Sequence, residues 1–164
     1  MTQLNKEDLE TYLGSQSQYY LDYYDQYQEG QKASFNFAAF LVAALWMMYR
    51  KMWIEILVFM GAAVSIDLII EFLLDQFGMK PQLIEYISFG SNILLSLIFA
   101  TYANYFYIKK AERDIRSVTR KTDNEDERIE LLQQKGGTTW IPFIIILVGV
   151  LVVMMINNGW IPVP

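Results

Sequence analysis

Asp67 and Glu71 are the residues whose types and spacing suit them best to chemistry. They stand four positions apart inside an otherwise apolar run, WIEILVFMGAAVSIDLIIEFLL over 53–74. Residues four apart share one face of a helix. An ionisable side chain inside an apolar span is costly and is by default a functional candidate, here for a proton or a cation. The next apolar run, LIEYISFGSNILLSLIFATYANYFY over 83–107, brings Ser88, Ser91 and Asn92. Asp67 lies seven residues from Leu74 and Asn92 nine from Leu83. At similar depths they can hydrogen bond, with Ser65 nearby. The same cluster also reads as an interhelical polar clamp, and the clamp is the preferred reading. Two carboxylates are too few for the usual oxygen-ligated divalent site, so no metal is expected.

Other chemistry is excluded by composition. The chain has no Cys and no His, which removes thiol nucleophiles, imidazole bases, disulfides, Cys/His zinc sites and His-ligated haem. No P-loop, dinucleotide fingerprint or Ser–His pair is present. No enzyme activity and no cofactor are expected. A net charge of −5, with no basic stripe interleaved with aromatics, argues against nucleic acid.

The elements that must position these residues follow from how charge and apolarity segregate. Of 164 residues, 54% are hydrophobic and 19% charged, and the two are kept in separate blocks, as a bilayer demands. The first apolar run follows a long polar arm with no short basic start, so no signal peptide is expected. Three runs are read as membrane spans: 53–74, 83–107 and 140–156, WIPFIIILVGVLVVMMI. Gly78 suits the end of the first, Pro81 the first turn of the second, and Asn157-Asn158-Gly159 the close of the third. Tyr102, Tyr105 and Tyr107 fit an aromatic belt, and Trp160 an interface.

Phe35 to Tyr49 is 15 residues, about 22 Å as a helix, against a hydrocarbon core of about 30 Å. The preferred reading is a short re-entrant or interfacial helix, joined to the first span through Arg50-Lys51-Met52. If it spanned instead, the arm 1–33 would lie outside. In that arm Leu9, Tyr12, Leu13, Tyr20, Tyr23 or Tyr24, and Tyr27 recur at helical spacing. Gly14-Ser15 separates two pieces and Gly30 ends the second. The tyrosine face suits the headgroup layer, the protein's own helices or a partner. Residues 108–139 read as a charged helical linker. Its first helix keeps an apolar stripe to about Thr119, Asp123 or Asn124 caps a shorter helix, and Gly136-Gly137 ends it.

Lys and Arg set the orientation. Arg50, Lys51 and the cluster Lys109, Lys110, Arg113, Arg116, Arg120 and Lys121 place 50–51 and 108–139 in the cytoplasm, with 75–82 and 157–164 outside. Trp46, Tyr49, Arg50, Lys51, Trp53, Lys109 and Lys110 are read as interface and lipid anchors, the cations binding anionic phospholipid headgroups. Glu55 is expected to pair with Arg50 or Lys51. The acidic run 123–130 is read as a solvated face or a partner for the 109–121 cluster.

One stretch of motifs has a family resemblance. FNFAAF, LW and YRKMW, then ANYFYIKKAERDI, then KGGTTW, in that order, resemble the signature of an uncharacterised bacterial membrane-protein family, a domain of unknown function. The matching positions are Phe35, Asn36, Ala38, Ala39, Phe40, Leu45, Trp46, Tyr49, Arg50, Lys51, Asn104, Tyr107, Lys109, Gly136 and Gly137. Lys110 stands where the family usually has His. Ala43-Ala44 stand where Gly-Pro is common, which weakens the case for a broken re-entrant segment. The resemblance implies membrane class and topology, and no reaction.

The expectation is therefore an all-α integral membrane helical bundle of the bacterial inner membrane. It has a cytoplasmic amphipathic arm over 1–33 and a membrane domain over 34–164. The expected role is a non-enzymatic adaptor or regulatory subunit, its two cytoplasmic helical surfaces suited to a membrane or cytoplasmic protein partner or a homo-oligomer. The alternative is a small proton or cation transporter or channel component using Asp67 and Glu71.

Overall fold

A computed structural model describes residues 4–14, 17–158 and 160. The described residues form eight helices and no strand. In chain order these are α1 (Lys6–Leu13), α2 (Ser17–Gln28), α3 (Phe37–Leu41), α4 (Ala43–Tyr49), α5 (Trp53–Gln76), α6 (Pro81–Thr119), α7 (Glu125–Lys135) and α8 (Ile141–Asn157). Ser15, Gly159 and the Pro-bearing tail, which entered the reading of the arm and of the chain end, lie outside the described residues.

The helix ends follow local chemistry. Asn5 caps α1 by accepting from the Glu7 N–H at 3.0 Å, and Asn124 caps α7 by accepting from the Glu127 N–H at 3.1 Å. Pro81 opens α6. After α5, Gly78 takes φ 65°, its N–H donates to the Asp75 carbonyl at 2.8 Å and that of Met79 to Leu74 at 3.1 Å. This paired closure is a Schellman motif. The same closure ends α4, with Met52 N–H to Met47 at 2.8 Å and Lys51 N–H to Met48 at 3.0 Å. There the left-handed position is held by Lys51, at φ 55°.

Residues 35–49 are two short helices, broken at Val42 (φ −141°, ψ 51°). The break occurs without the Gly-Pro that would signal it. Its entry is pinned on α6: the backbone N–H groups of Ser34 and Asn36 donate to the Thr101 and Ala100 carbonyls, both at 2.9 Å. Its exit lies beside Tyr107, which flanks Arg50. Levels 100 and 107 of α6 are separated by about 10 Å along the helix axis.

α6 is unbroken over 39 residues. Its second half is the spine of a packed head. Leu9, Tyr12 and Leu13 of α1, Tyr20 and Tyr24 of α2, and Leu132 of α7 bury against Tyr107, Ile108, Ala111, Ile115 and Val118. The tyrosine face of the arm thus lies on the chain's own helices. The arm and the charged linker, read from sequence as two separate surfaces, share one core.

The first half of α6 pairs with α5, and this hairpin is covered very little. The most apolar 18-residue windows of α5 and α6 are 6% and 11% buried, whereas the core helix of a soluble protein is mostly buried. Both helices are long and apolar enough to cross a membrane. The third expected span is α8, of 17 residues. That is about 25 Å, short of the roughly 30 Å of a hydrocarbon core, so among the described residues two helices rather than three pass on length.

Candidate functional site

The motif residues of the 34–51 segment converge on α6. Asn36 accepts from the Ala39 N–H at 2.9 Å, capping α3, and its own amide donates to the Asn104 Oδ1 at 2.9 Å. The Asn104 amide in turn donates to the Tyr19 hydroxyl at 2.7 Å and to Ser34 Oγ at 3.2 Å. Both asparagines are buried, and buried polar groups need such partners. An isolated Asn in each of two apolar runs is the sequence signal that could have found this pair.

One helical turn on, Arg50 lies among tyrosines. Its guanidinium carbon is 4.6 Å from the Tyr20 ring centroid, 5.1 Å from Tyr107 and 5.6 Å from Tyr49. The Tyr20 and Tyr107 rings meet edge to face at 4.8 Å. Arg50 is 1% exposed, so its place is inside the head rather than on the lipid interface. Burial pushes the Tyr20 hydroxyl up to about 12, against the pull of the Arg50 charge.

The other expected anchors divide. Trp46 is buried and Trp53 exposed, and Tyr49 meets Trp140 and Phe143 edge to face at 5.3 and 6.0 Å. The Lys51 ammonium donates to the carbonyls of Gln134 and Gly136 at 3.0 and 2.6 Å. Burial and then the Lys110 charge hold it below the usual lysine value. Lys109 pairs with Glu112 at 3.1 Å and faces Tyr27 and Tyr105. Lys110 is buried. It donates to the Tyr12 hydroxyl and pairs with Asp114 at 2.8 Å, and Tyr12 also donates to Asp114 at 2.7 Å. Burial and the Asp114 charge drive the Tyr12 hydroxyl well above its ordinary value. Burial raises the Asp114 carboxyl too, but the hydrogen bonds from Lys110 and Tyr12 outweigh it and leave it below the usual range.

One expected pairing is replaced. Glu55 meets Arg113 at 2.8 Å, because α6 continues past the end of α4 and brings Arg113 alongside. The acids of the 123–130 run are exposed, and its one basic residue, Arg128, reaches Asp8 of α1 at 3.2 Å, since α7 folds back over α1.

In the hairpin, the Asn92 amide donates to both oxygens of Asp67, at 2.9 and 3.1 Å. It also reaches the Ser88 carbonyl at 3.0 Å. Ser91 and Ser65 turn back on their own helices, to the Ser88 carbonyl at 2.8 Å and the Gly61 carbonyl at 2.7 Å. Asp67 and Glu71 line a cleft of about 520 Å³ with Asp75, Glu85 and Ser88. Among the described residues, no three metal-binding side chains are gathered to hold an ion.

A second cleft, of about 710 Å³, opens beside Arg50 between the start of α2, the α3–α4 break and the start of α8. Sequence reasoning missed it, because its walls come from segments far apart in the chain, brought together by the packing of α2 and α3 on α6 and of α4 on α8.

Residues 12–113 match a family described as a protein of unknown function (DUF2628). The matched stretch holds the Asn36–Asn104 pair, the Arg50 cage and the Asp67–Asn92 pair. No curated protein and no solved structure matches the chain.

Proposed function

The chain belongs to the DUF2628 family, and on that premise we propose that it is a small multi-pass protein of the bacterial inner membrane acting as a non-enzymatic adaptor or regulatory subunit. The observation that carries this reading is the contrast along α6. Its first half and α5 leave an apolar surface almost uncovered, and its second half anchors a closely packed head. Uncovered apolar faces of this extent belong in lipid. α8 adds a third crossing, its short length met by local thinning of the bilayer. Residues 35–49 lie along the inner interface, since their ends sit at levels of α6 only about 10 Å apart. The arm, α7 and the basic face of α6 are then cytoplasmic. The partner surface is the outside of the head, including the exposed acids of α7, because the tyrosines are used internally.

A chain without Cys gives a clean topology test. Single cysteines at Glu10 and Asn158 are labelled with a membrane-impermeant maleimide in intact cells. Glu10→Cys is expected to stay protected until lysis and Asn158→Cys to label. Labelling of both in intact cells removes the cytoplasmic head.

A second reading, a proton or cation transporter component, is favoured by one observation, the acid-lined hairpin cleft with its Asp67–Asn92 pair. Asp67→Asn separates the two. Loss of a proton or cation flux in liposomes with the fold retained selects the transporter. No flux in the parent protein, with Asp67→Asn affecting only assembly, leaves the adaptor.

A further inference from the structure

Three cations expected to meet lipid are engaged inside the head, Arg50 among tyrosine rings, Lys51 on backbone carbonyls and Lys110 on Asp114. Another set faces outward. Arg113, Arg116, Ser117, Arg120 and Lys121 line a shallow cleft of about 560 Å³. Their spacing puts them on one face of α6, opposite Ala111, Ile115 and Val118, which are buried in the head. All four cations are exposed. Arg113 pairs with Glu55 at 2.8 Å, and among the described residues Arg116, Arg120 and Lys121 form no ion pair. Lys135 of α7 comes to the edge of the face, its ammonium 3.5 Å from Ser117 Oγ. Like charges three and four apart on a helix repel, and a cleft lined by one sign of charge concentrates ions of the other.

The Arg113–Glu55 pair sets the level of this face. Glu55 stands in the first turn of α5, whose 24 residues span about 36 Å against a hydrocarbon core of about 30 Å. That turn therefore stands in the headgroup layer, with Trp53 exposed beside it in the manner of an interface aromatic. From Arg113 the cations climb about 12 Å to Lys121. The headgroup layer is about 5–7 Å deep on each side, and the field of anionic lipids reaches about 8 Å further at physiological salt. We infer that this face of α6 binds the phosphate headgroups of anionic lipids in the membrane that the hairpin enters. An acidic protein segment matches the charge, but it leaves unexplained why the face starts at the first turn of α5.

The inference rests on the membrane reading above, and the experiment keeps the two apart. The full chain in neutral detergent is mixed with dioleoyl phosphatidylglycerol and dioleoyl phosphatidylcholine in equal amounts, and retained lipid is counted by native mass spectrometry. Phosphatidylglycerol is expected to be preferred about fivefold or more, the effect of one charge interaction. The triple variant Arg116→Gln, Arg120→Gln, Lys121→Gln is expected to retain the two lipids equally. Its melting temperature without lipid is expected to equal or exceed that of the parent, because the repulsion on the helix face is relieved. Lys6→Gln removes a charge from the exposed surface of the arm and is expected to keep the preference. Equal retention by the parent, a triple variant as selective as the parent or melting below it, or a loss of preference in Lys6→Gln overturns the inference. So does a polyglutamate peptide or inorganic phosphate that binds as tightly as phosphatidylglycerol, which reassigns the face to an acidic protein or a free anion. Alkaline carbonate extraction tests the membrane reading by itself. A chain that stays with the membrane but shows no lipid preference sinks the basic face alone.

Discussion

The side chains of Asn36 and Asn104 meet at 2.9 Å across 68 positions of sequence. Asn104 is wholly buried, and Asn36 is 6% exposed. The pair ties the entry of the α3–α4 segment to the middle of the longest helix. Removing one partner strands the other, which costs about 1–3 kcal/mol. Asn36→Ala adds the loss of the α3 cap, about 1 kcal/mol. The double variant is expected to cost clearly less than the sum of the singles. Thermal melts of the four proteins in detergent give the coupling directly, and strict additivity would show that the pair contributes nothing.

Arg50 sits within 4.6–5.6 Å of three tyrosine rings. Lysine keeps the charge there but loses the planar stacking face. Arg50→Lys is expected to lower stability by about 2 kcal/mol, the scale of a desolvated cation–π contact. Tyr107→Leu in the Arg50→Lys background should then add less than it does in the parent. Equal effects in both backgrounds would remove the cage as an energetic unit.

Gly136 packs directly on the backbone of Tyr12, and a Cβ there would overlap the Tyr12 carbonyl group. The Gly137 N–H donates to that same carbonyl at 2.7 Å. Because the obstacle is backbone, the neighbour cannot rotate away. Gly136→Ala is expected to lift α1 off the head and expose the arm to limited proteolysis, with α5 and α6 still helical by circular dichroism. An arm as protease-resistant as in the parent would refute the docking.

Two titrations bracket the head. Asp114 has a native value below its ordinary range, so its contribution to stability is complete above that range. It is lost as pH falls through the lower native value. Tyr20 is raised from 10.0 to about 12, so its contribution is complete below about 10 and lost as pH rises through about 12. Asp114→Asn should flatten the acid limb of a stability–pH curve and leave the alkaline limb alone. Phenolate absorbance should show tyrosines that ionise only together with alkaline unfolding. A single ordinary tyrosine titration would contradict the burial.

Much of the helix punctuation was legible in the sequence, because caps act through neighbours in the chain. Gly78, Pro81 and Asn124 stand where their local chemistry puts them. The Asp67–Asn92 contact was reachable by counting depth along two helices. What was hidden depended on distant partners. A basic pair between two apolar runs reads as an interface anchor, and the rings of Tyr20 and Tyr107, on either side of it in the chain and far from it in sequence, make an interior place for Arg50. The break at Val42 carries no Gly or Pro, since it is imposed by the pinning of Ser34 and Asn36 on α6. The tyrosine periodicity of α2 was plain, but a periodic face does not name what it packs against. For α8, hydropathy marked the segment, while its 17 residues leave its fit to a bilayer to the lipid.

The unbroken course of α6 has a mechanical consequence. A rod of 39 residues is about 57 Å long, with no hinge between its apolar half and its packed half. Transmembrane helices re-tilt when bilayer thickness changes. A change of about 10° about its Pro81 end swings the Thr119 end of such a rod by about 10 Å. In the proposed membrane setting the helix is then a lever, with one half in the bilayer and the other carrying the head.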